Sequence, residues 1–261
     1  MILLDPEARP VVGHRGNRAH APENTLASFH EAVRLGVDAL EFDLHVSRDG
    51  VLVVIHDPTL DRTTDGSGPV AMRTVAELRR LDAGARFTRD EGRTFPWRGR
   101  GATVSTFDEI IESLPRELPF IIELKTPAAT ELVRDAIRRH DIADRVLVAG
   151  FDPDATRSLR GAGFALGAST PDVARLLLPA LLRQRVGPQL FQALCIPPRW
   201  HGFPVPIPAL AHALRGSGTV IHVWTVNDPA HALRLWSQGV QGIISDDPGL
   251  ILEARKRAMR Q

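Results

Sequence analysis

Four groups of charged or polar side chains in this 261-residue chain fall at the ends of short apolar runs. His14-Arg15-Gly16 follows residues 11–13, Glu41 and Asp43 end the run 39–44, Glu123 and Lys125 end 120–124, and His56 ends 51–55. Glu41 and Asp43 are two residues apart, so on a strand they point to the same side. Three carboxylates converging on one point repel one another unless a cation neutralises them. An oxygen-only ligand set favours a hard ion, Mg²⁺ or Ca²⁺, over zinc. His14 and His56 titrate near neutral pH and fit the two proton transfers of phosphodiester cleavage, one from the nucleophile and one to the leaving alkoxide. Arg15 can grip a phosphate with two parallel hydrogen bonds, and Lys125 adds a compact point charge. Only Lys125 and Lys256 are lysine among 32 basic residues, so a lysine beside Leu124 marks a geometry that guanidinium would not fit. A single strand-end acid is as readily explained by an ion pair with arginine, and Lys125 alone by a solvated head group. Three acids with a histidine on either side are not.

These side chains need a scaffold that brings separate strand ends together. Apolar runs at 11–13, 39–44, 120–124, 146–149, 165–168, 191–196, 220–225 and 242–245 read as buried parallel strands. Helical patterns lie between most of them; Leu26, Phe29 and Val33 before Gly36 form one apolar stripe closed by a glycine cap. Thr126-Pro127, Asp152-Pro153, Thr170-Pro171, Asp228-Pro229 and Asp247-Pro248 each read as an N-cap followed by proline at the first helical position. Eight strands alternating with helices predict an α/β fold, a single (β/α)₈ TIM barrel, in preference to an open doubly wound sheet. The C-terminal ends of barrel strands form the active-site face, so the charged clusters should meet there. Residues 57–104 read as a small insertion after the second strand region, too poor in apolar residues for a core of its own, within one domain spanning 1–261. The Pro-rich stretch 196–208 is a second long connection, whose Trp200 and Phe203 either line a pocket or pack the loop down.

Composition sets the outer limits. Hydrophobic residues make up 43% and charged residues 24%, as in a soluble protein with one sizeable core. The formal charge of +1 provides no global field for nucleic acid or an anionic membrane, so no nucleic-acid partner and no stable membrane association are expected. The N-terminus carries neither a basic leader nor a long apolar run, and a cytoplasmic location is expected. Cys195 is the only cysteine, which excludes an internal disulfide and a thiolate zinc cluster; it reads as a small buried hydrophobe. His30, His140 and His231 sit in helical patterns and read as surface residues, whereas His45 and His222 lie on or near strands as core or supporting groups.

In order along the chain stand His14-Arg15-Gly16, Ala21-Pro22-Glu23-Asn24-Thr25, Glu41-Phe42-Asp43, Val54-Ile55-His56-Asp57, Leu60-Asp61-Arg62-Thr63-Thr64-Asp65-Gly66, Ile122-Glu123-Leu124-Lys125 and Val223-Trp224-Thr225-Val226-Asn227. This series closely resembles the glycerophosphodiester phosphodiesterases, over nearly the whole chain. The resemblance implies a (β/α)₈ barrel with a characteristic insertion, His14 and His56 as general base and acid, and one divalent ion held by Glu41, Asp43 and Glu123. It further implies phosphate contacts from Arg15 and Lys125, Trp224 facing the substrate, and hydrolysis of a small glycerophosphodiester to glycerol phosphate and an alcohol. Asn17 stands where a small residue is common, near enough to alter substrate fit, and Val104-Ser105-Thr106-Phe107 replaces the usual Ile-Pro-Thr-Leu. Two alternatives share the fold. A phosphodiesterase acting on lysophospholipids would use leucines at 176–182 as a lipid groove, although a buried helix face explains them more simply. A non-catalytic barrel that binds a phosphate ligand would have lost one of the five histidine and carboxylate positions, and none is missing. A zinc hydrolase would carry a His-x-His pair, which is absent near the strand ends.

Overall fold

In the computed structural model, which describes residues 1–259, each of the eight predicted runs contains a strand. The strands in chain order are β1 Val11–His14, β2 Ala39–Val46, β3 Leu52–Val54, β4 Phe120–Leu124, β5 Val146–Ala149, β6 Ala165–Leu166, β7 Ala193–Ile196, β8 Arg199–Trp200, β9 Phe203–Pro204, β10 Val220–Val223 and β11 Gly242–Ser245. The helices are α1 Leu26–Leu35, α2 Val75–Leu78, α3 Phe107–Ser113, α4 Thr130–Arg139, α5 Pro153–Thr156, α6 Thr170–Leu181, α7 Ile207–Leu214, α8 Pro229–Ser237 and α9 Pro248–Ala258. Eight strands pair in parallel in the order β6-β5-β4-β2-β1-β11-β10-β7. A single bridge between Gly167 and Ala193 joins the two ends, with Ala168 N–H donating to Ala193 O at 2.8 Å and Gln192 N–H to Leu166 O at 2.8 Å. The ring is a (β/α)₈ barrel whose β6–β7 seam is its weakest, because β6 keeps only two of the four residues expected of it.

Two strand pairs fall outside the ring. β3 folds back antiparallel on β2, with Leu44 opposite Val54 and Val46 opposite Leu52, so β2 runs on past Asp43. Glu41 and Asp43 are therefore inside a strand, not at its end as the sequence implied. β8 and β9 form a short hairpin in the Pro-rich connection.

The core has two layers, one inside the barrel and one between sheet and helices. Val12, Ile121, Leu147, Ala193, Val220 and Ile244 fill the interior, and Leu3 closes the end away from the charged clusters. Outside, Phe42 lies edge-on to Phe29 and Phe120 at centroid distances of 5.9 and 5.6 Å. Thr25 caps α1 by accepting from Ser28 N–H, and Gly36 at φ 82° ends it in a left-handed cap. Thr126, Asp152 and Asp228 cap the elements they precede. At the Thr170-Pro171 junction the cap is Ser169, which forms a capping box with Asp172, and Thr170 is already helical. Asp247 precedes α9 without a side-chain cap bond. Residues 57–104 pack Leu60, Val70, Leu78 and Ala83 on Val53 and Ile55, so the insertion does form a small apolar cluster, completed by residues of β3 and its end. No helix among the described residues is long and apolar enough to cross a membrane.

His222 is wholly buried in β10 with Nε2 2.8 Å from the Leu3 carbonyl, which requires the proton on Nε2. A Cβ on Gly242 would stand 1.8 Å from His222 Nδ1, so the neighbouring strand must carry glycine there. Burial holds the His222 pKa down to about 4, below its ordinary value. Its folded pKa is depressed, so its stabilisation is complete above about pH 6.5 and declines as pH falls toward 4, by up to about 3 kcal/mol. Denaturant titrations from about pH 7 to about pH 4 should show a smaller acid loss in His222→Gln, which keeps a donor for Leu3 and does not titrate. An identical acid loss in both proteins would remove His222 from the pH dependence.

Candidate active site

The strand register assembles the site. His14 lies opposite Glu41 across β1–β2, and Asp43 lies opposite Glu123 across β2–β4. All three acids project inward at the barrel mouth, and each offers one carboxylate oxygen within 4.8 Å of the others. A cavity of about 80 Å³ above them is lined by His14, Arg15, Glu41, His56, Glu123, Lys125 and Trp224, among others. Asp43 is fully buried and lies outside this lining. The structure thus brings all eight expected site residues to one mouth.

The turn after β1 and the end of β4 set one cationic group each against the acids. Arg15 adopts a left-handed φ of 52°, and its backbone N–H donates to Glu41 Oε2 at 3.0 Å. Gly16 follows at φ 88°, where a Cβ would sit 2.2 Å from Ser28 Oγ; that hydroxyl donates to the Arg15 carbonyl at 2.8 Å. The Arg15 guanidinium pairs with Asp43 at 3.1 Å and with Glu23 at 2.7 Å. Lys125 Nζ stands 2.5 Å from Glu123 Oε1 and 3.0 Å from Asp43 Oδ1. The second contact is an ion pair without hydrogen-bond geometry, so Asp43 Oδ1 is buried without a donor. Asp43 Oδ2 accepts from Asn24 Nδ2 at 2.8 Å.

The acids respond differently to this setting. Burial drives the Glu41 carboxyl well above its ordinary pKa, and the nearby Asp43 charge pushes it further. Glu123 is raised in the same way, with partial relief from Lys125. Burial also pushes on Asp43, but Lys125 and Arg15 outweigh it and hold this carboxyl below its usual range. Three carboxylates against two cations leave one negative charge without compensation, and a divalent ion would turn that into one positive charge. The buried donorless Asp43 Oδ1, the spacing of the three oxygens and the raised Glu41 and Glu123 all fit a hard divalent cation.

Each histidine has a carboxylate that aims it. His14 Nδ1 lies 2.6 Å from Asp246 Oδ1, leaving Nε2 for the pocket, 3.9 Å from Glu41 Oε2. Asn227 Nδ2 donates to Asp246 Oδ2 at 3.1 Å, and Asn227 Oδ1 accepts from Asp246 N–H at 2.8 Å. His56 Nδ1 lies 2.6 Å from Asp57 Oδ1, and Arg62 Nε donates to Asp57 Oδ2 at 2.6 Å. Arg62 also bridges to Glu23 through two bonds of 2.7 and 2.8 Å, tying the insertion to the turn that carries Arg15. His45 holds the His56 carbonyl at 3.1 Å. Burial lowers the pKa of both His14 and His56, so each is neutral over a wider pH range than a free imidazole.

The sequence reading missed Asp246, whose only local signal was its position after β11 and before Asp247-Pro248. It missed the orienting parts of Asp57, Arg62 and Glu23 too, although all lie in motifs it quoted. Asn17 donates to Glu31 at 3.3 Å and does not line the pocket, contrary to expectation. Cys195 is half-buried and lines the site; burial pushes its thiol pKa up, which disfavours the nucleophilic thiolate. Trp224 lines the pocket with its ring centroid 5.6 Å from that of Phe151.

Comparison with known proteins agrees with this geometry. The model of the glycerophosphoryl diester phosphodiesterase family matches residues 14–250. A glycerophosphodiester phosphodiesterase of Caldanaerobacter subterraneus is 32% identical over 93% of this chain and 96% of its own length. One from Bacillus subtilis is 28% identical over 97% and 89%. Among solved structures, an Oleispira antarctica phosphodiesterase in complex with the product sn-glycerol-3-phosphate is 28% identical with a TM-score of 0.75, over 95% of this chain and 97% of its own. The glycerophosphoryl diester phosphodiesterase domain of an uncharacterized Mycobacterium tuberculosis protein has the same fold, with a TM-score of 0.82 at 24% identity over 96% of this chain and all of its own. With the acids, histidines and cations gathered at one barrel mouth, the chain belongs to the glycerophosphoryl diester phosphodiesterase family of phosphoric diester hydrolases.

Proposed function

We propose that this protein, acting as one domain, hydrolyses small glycerophosphodiesters to glycerol phosphate and an alcohol, with one divalent cation, Mg²⁺ or Ca²⁺, held by Glu41, Asp43 and Glu123. The observation that carries this reading is the convergence of two carboxylate-aimed histidines, three acids and two cations on one small cavity. The cation, when bound, neutralises phosphoryl oxygens and lowers the pKa of an attacking hydroxyl or water. Arg15 and Lys125 grip the phosphate, and Trp224 packs against the substrate. Both side chains already stand against the acids at the floor of the cavity, so an anionic diester entering it would meet their positive charge.

His14 serves as general base. Burial keeps its ring neutral, and Asp246 fixes the Nδ1–H tautomer so that Nε2 is the accepting nitrogen. His56 serves as general acid, and the Asp57 carboxylate, braced by Arg62, stabilises the imidazolium that protonates the leaving alkoxide. The orienting carboxylate does for each ring what the buried aspartate does for the histidine of a hydrolytic triad.

Purified protein stripped with a chelator should release glycerol phosphate from glycerophosphocholine or glycerophosphoethanolamine only after Mg²⁺ or Ca²⁺ is restored. His14→Ala and His56→Ala should each lower kcat about 10²-fold to 10⁴-fold with the fold retained. Asp246→Asn should cost about 10-fold to 100-fold in kcat with little change in KM, because it disturbs a tautomer and not a substrate contact. Normal turnover in any of the three would take that residue out of the mechanism.

Ion binding has its own readout. The cation must displace the protons that Glu41 and Glu123 hold more tightly than free carboxyls, so affinity should rise with pH. As pH rises above the ordinary carboxyl range the rise in Tm on adding ion should grow, approaching the equivalent of about 2.7 kcal/mol at a hundredfold excess over Kd. The shift should vanish in Asp43→Asn. A pH-independent shift that persists in that variant would place the ion elsewhere.

A further inference from the structure

The formal charge of +1 conceals an uneven distribution. Between Asp172 and Asp228 there is no aspartate or glutamate, and the stretch carries five arginines, Arg175, Arg183, Arg185, Arg199 and Arg215. This sector is therefore +5 and the rest of the chain −4. It is also a sector in space, because α6 packs on α7 and β7 pairs with β10. Half of the large apolar side chains that stand exposed among the described residues fall within it: Leu178, Leu181, Leu182, Leu190, Trp200 and Phe203. The expectation of no stable membrane association drew on the whole-chain charge, which averages this asymmetry away.

The two halves of α6 face different surroundings. Ala174 and Leu177, in the first half, line a cavity of about 420 Å³ beside the catalytic one, together with Trp200 and Phe203. The expectation of a buried leucine face at 176–182 holds only for Leu176, because Leu178, Leu181 and Leu182 are 67%, 64% and 59% accessible. These three are spaced so that they share one side of the helix. The chain leaves α6 at the barrel end away from the mouth, since it must enter β7 from the start of that strand. There every residue from Leu181 to Arg185 is exposed. Arg185 Nη1 donates to the Arg215 carbonyl at 3.2 Å, and Val186 N–H to Ala213 O at 2.9 Å, which sets the end of α7 beside them. Among the described residues Arg175 is the one arginine of this sector paired with a carboxylate, Asp172 at 3.3 Å.

Exposed leucines beside guanidiniums without carboxylate partners restrict what can cover them. Nucleic acid would use the cations and leave the leucines unburied. A second copy meeting this face across a two-fold axis would set arginine on arginine with no acid between them. An anionic bilayer matches both features, with negative head groups at the level of the guanidiniums and an apolar boundary just beneath for the leucines. We propose that the end of α6 and the connection that follows it dock this protein reversibly on an anionic lipid surface, through Leu178, Leu181, Leu182, Arg183, Arg185 and Arg215. The mouth-side start of α6 takes no part, so the catalytic cavity stays open to water in the docked protein.

Flotation of the full chain with lipid vesicles tests the docking. The protein should rise with vesicles of phosphatidylglycerol and phosphatidylcholine in equal parts and stay behind with phosphatidylcholine alone. Both lipids carry a phosphodiester, so capture through the catalytic cavity would not distinguish them. Binding should weaken at least about tenfold between about 0.05 M and about 0.3 M salt, because charges at an exposed surface are screened. Arg183→Gln combined with Arg185→Gln should lower the partition coefficient about 25-fold, about fivefold for each cation removed. Leu178→Ser combined with Leu181→Ser should lower it about tenfold or more. All four positions are exposed, so an unchanged Tm establishes that the variants fold. Equal binding to both kinds of vesicle, binding to neither at low salt, or a preference that survives both double variants overturns the docking. A sedimentation measurement showing a dimer that the two leucine substitutions split overturns it as well, because a second copy then covers the patch.

Discussion

The mouth of this barrel is organised around the mutual repulsion of Glu41, Asp43 and Glu123. Charged carboxylates are expensive to bury, and these three are held within reach of a single point. Arg15 and Lys125 compensate part of the cost, and Asn24 occupies the far oxygen of Asp43. The remainder shows in the raised carboxyls of Glu41 and Glu123 and in an Asp43 oxygen with no donor. A site left under-compensated in this way has a standing attraction for a divalent cation. Arg15 and Lys125, held against the same acids, line the cavity above them.

Everything that touches the acids is held by something else. The Arg15 turn needs a left-handed residue followed by a glycine under Ser28, and Glu23 fixes the guanidinium from the solvent side. Glu23 in turn binds Arg62 of the insertion, and Arg62 binds the Asp57 that aims His56. The insertion therefore joins the two sides of the site through one continuous chain of ion pairs, most of it half-buried and less screened than surface pairs. On the other flank, Asn227 and Asp246 come from the ends of adjacent strands and aim His14. Barrel closure matters for this reason: β1 and β11 must be neighbours before residues 14 and 246 can meet.

The mouth is also asymmetric. Loops after β1, β3 and β11 contribute charge, whereas those after β5, β6 and β7 contribute Phe151, Ala168 and the aromatic hairpin. A barrel permits this division because each loop is anchored independently to its own strand, so one half of the rim can serve chemistry and the other can fit the substrate.

Much of this was legible in the sequence. Hydrophobic runs of strand length and repeated cap-proline junctions are local signals, so the eight strands, the glycine-capped first helix and the barrel class followed from them. Period-two spacing put Glu41 and Asp43 on one side of a strand, and the type and position of His14, His56, Glu123 and Lys125 marked them as chemistry. What the sequence could not carry depends on which strands are neighbours. Asp246 meets His14 across 232 residues, and Arg62 meets Glu23 across 39, through contacts that no periodicity encodes. The antiparallel return of β3, which moves the acids to the interior of β2, and the shift of a cap from Thr170 to Ser169 were decided by pairing and packing. The sequence left two readings open for the leucines at 176–182 and for Trp200 and Phe203, because such residues have one composition whether they face a core, a cavity or solvent, and only the placement of α6 against the hairpin distinguishes them.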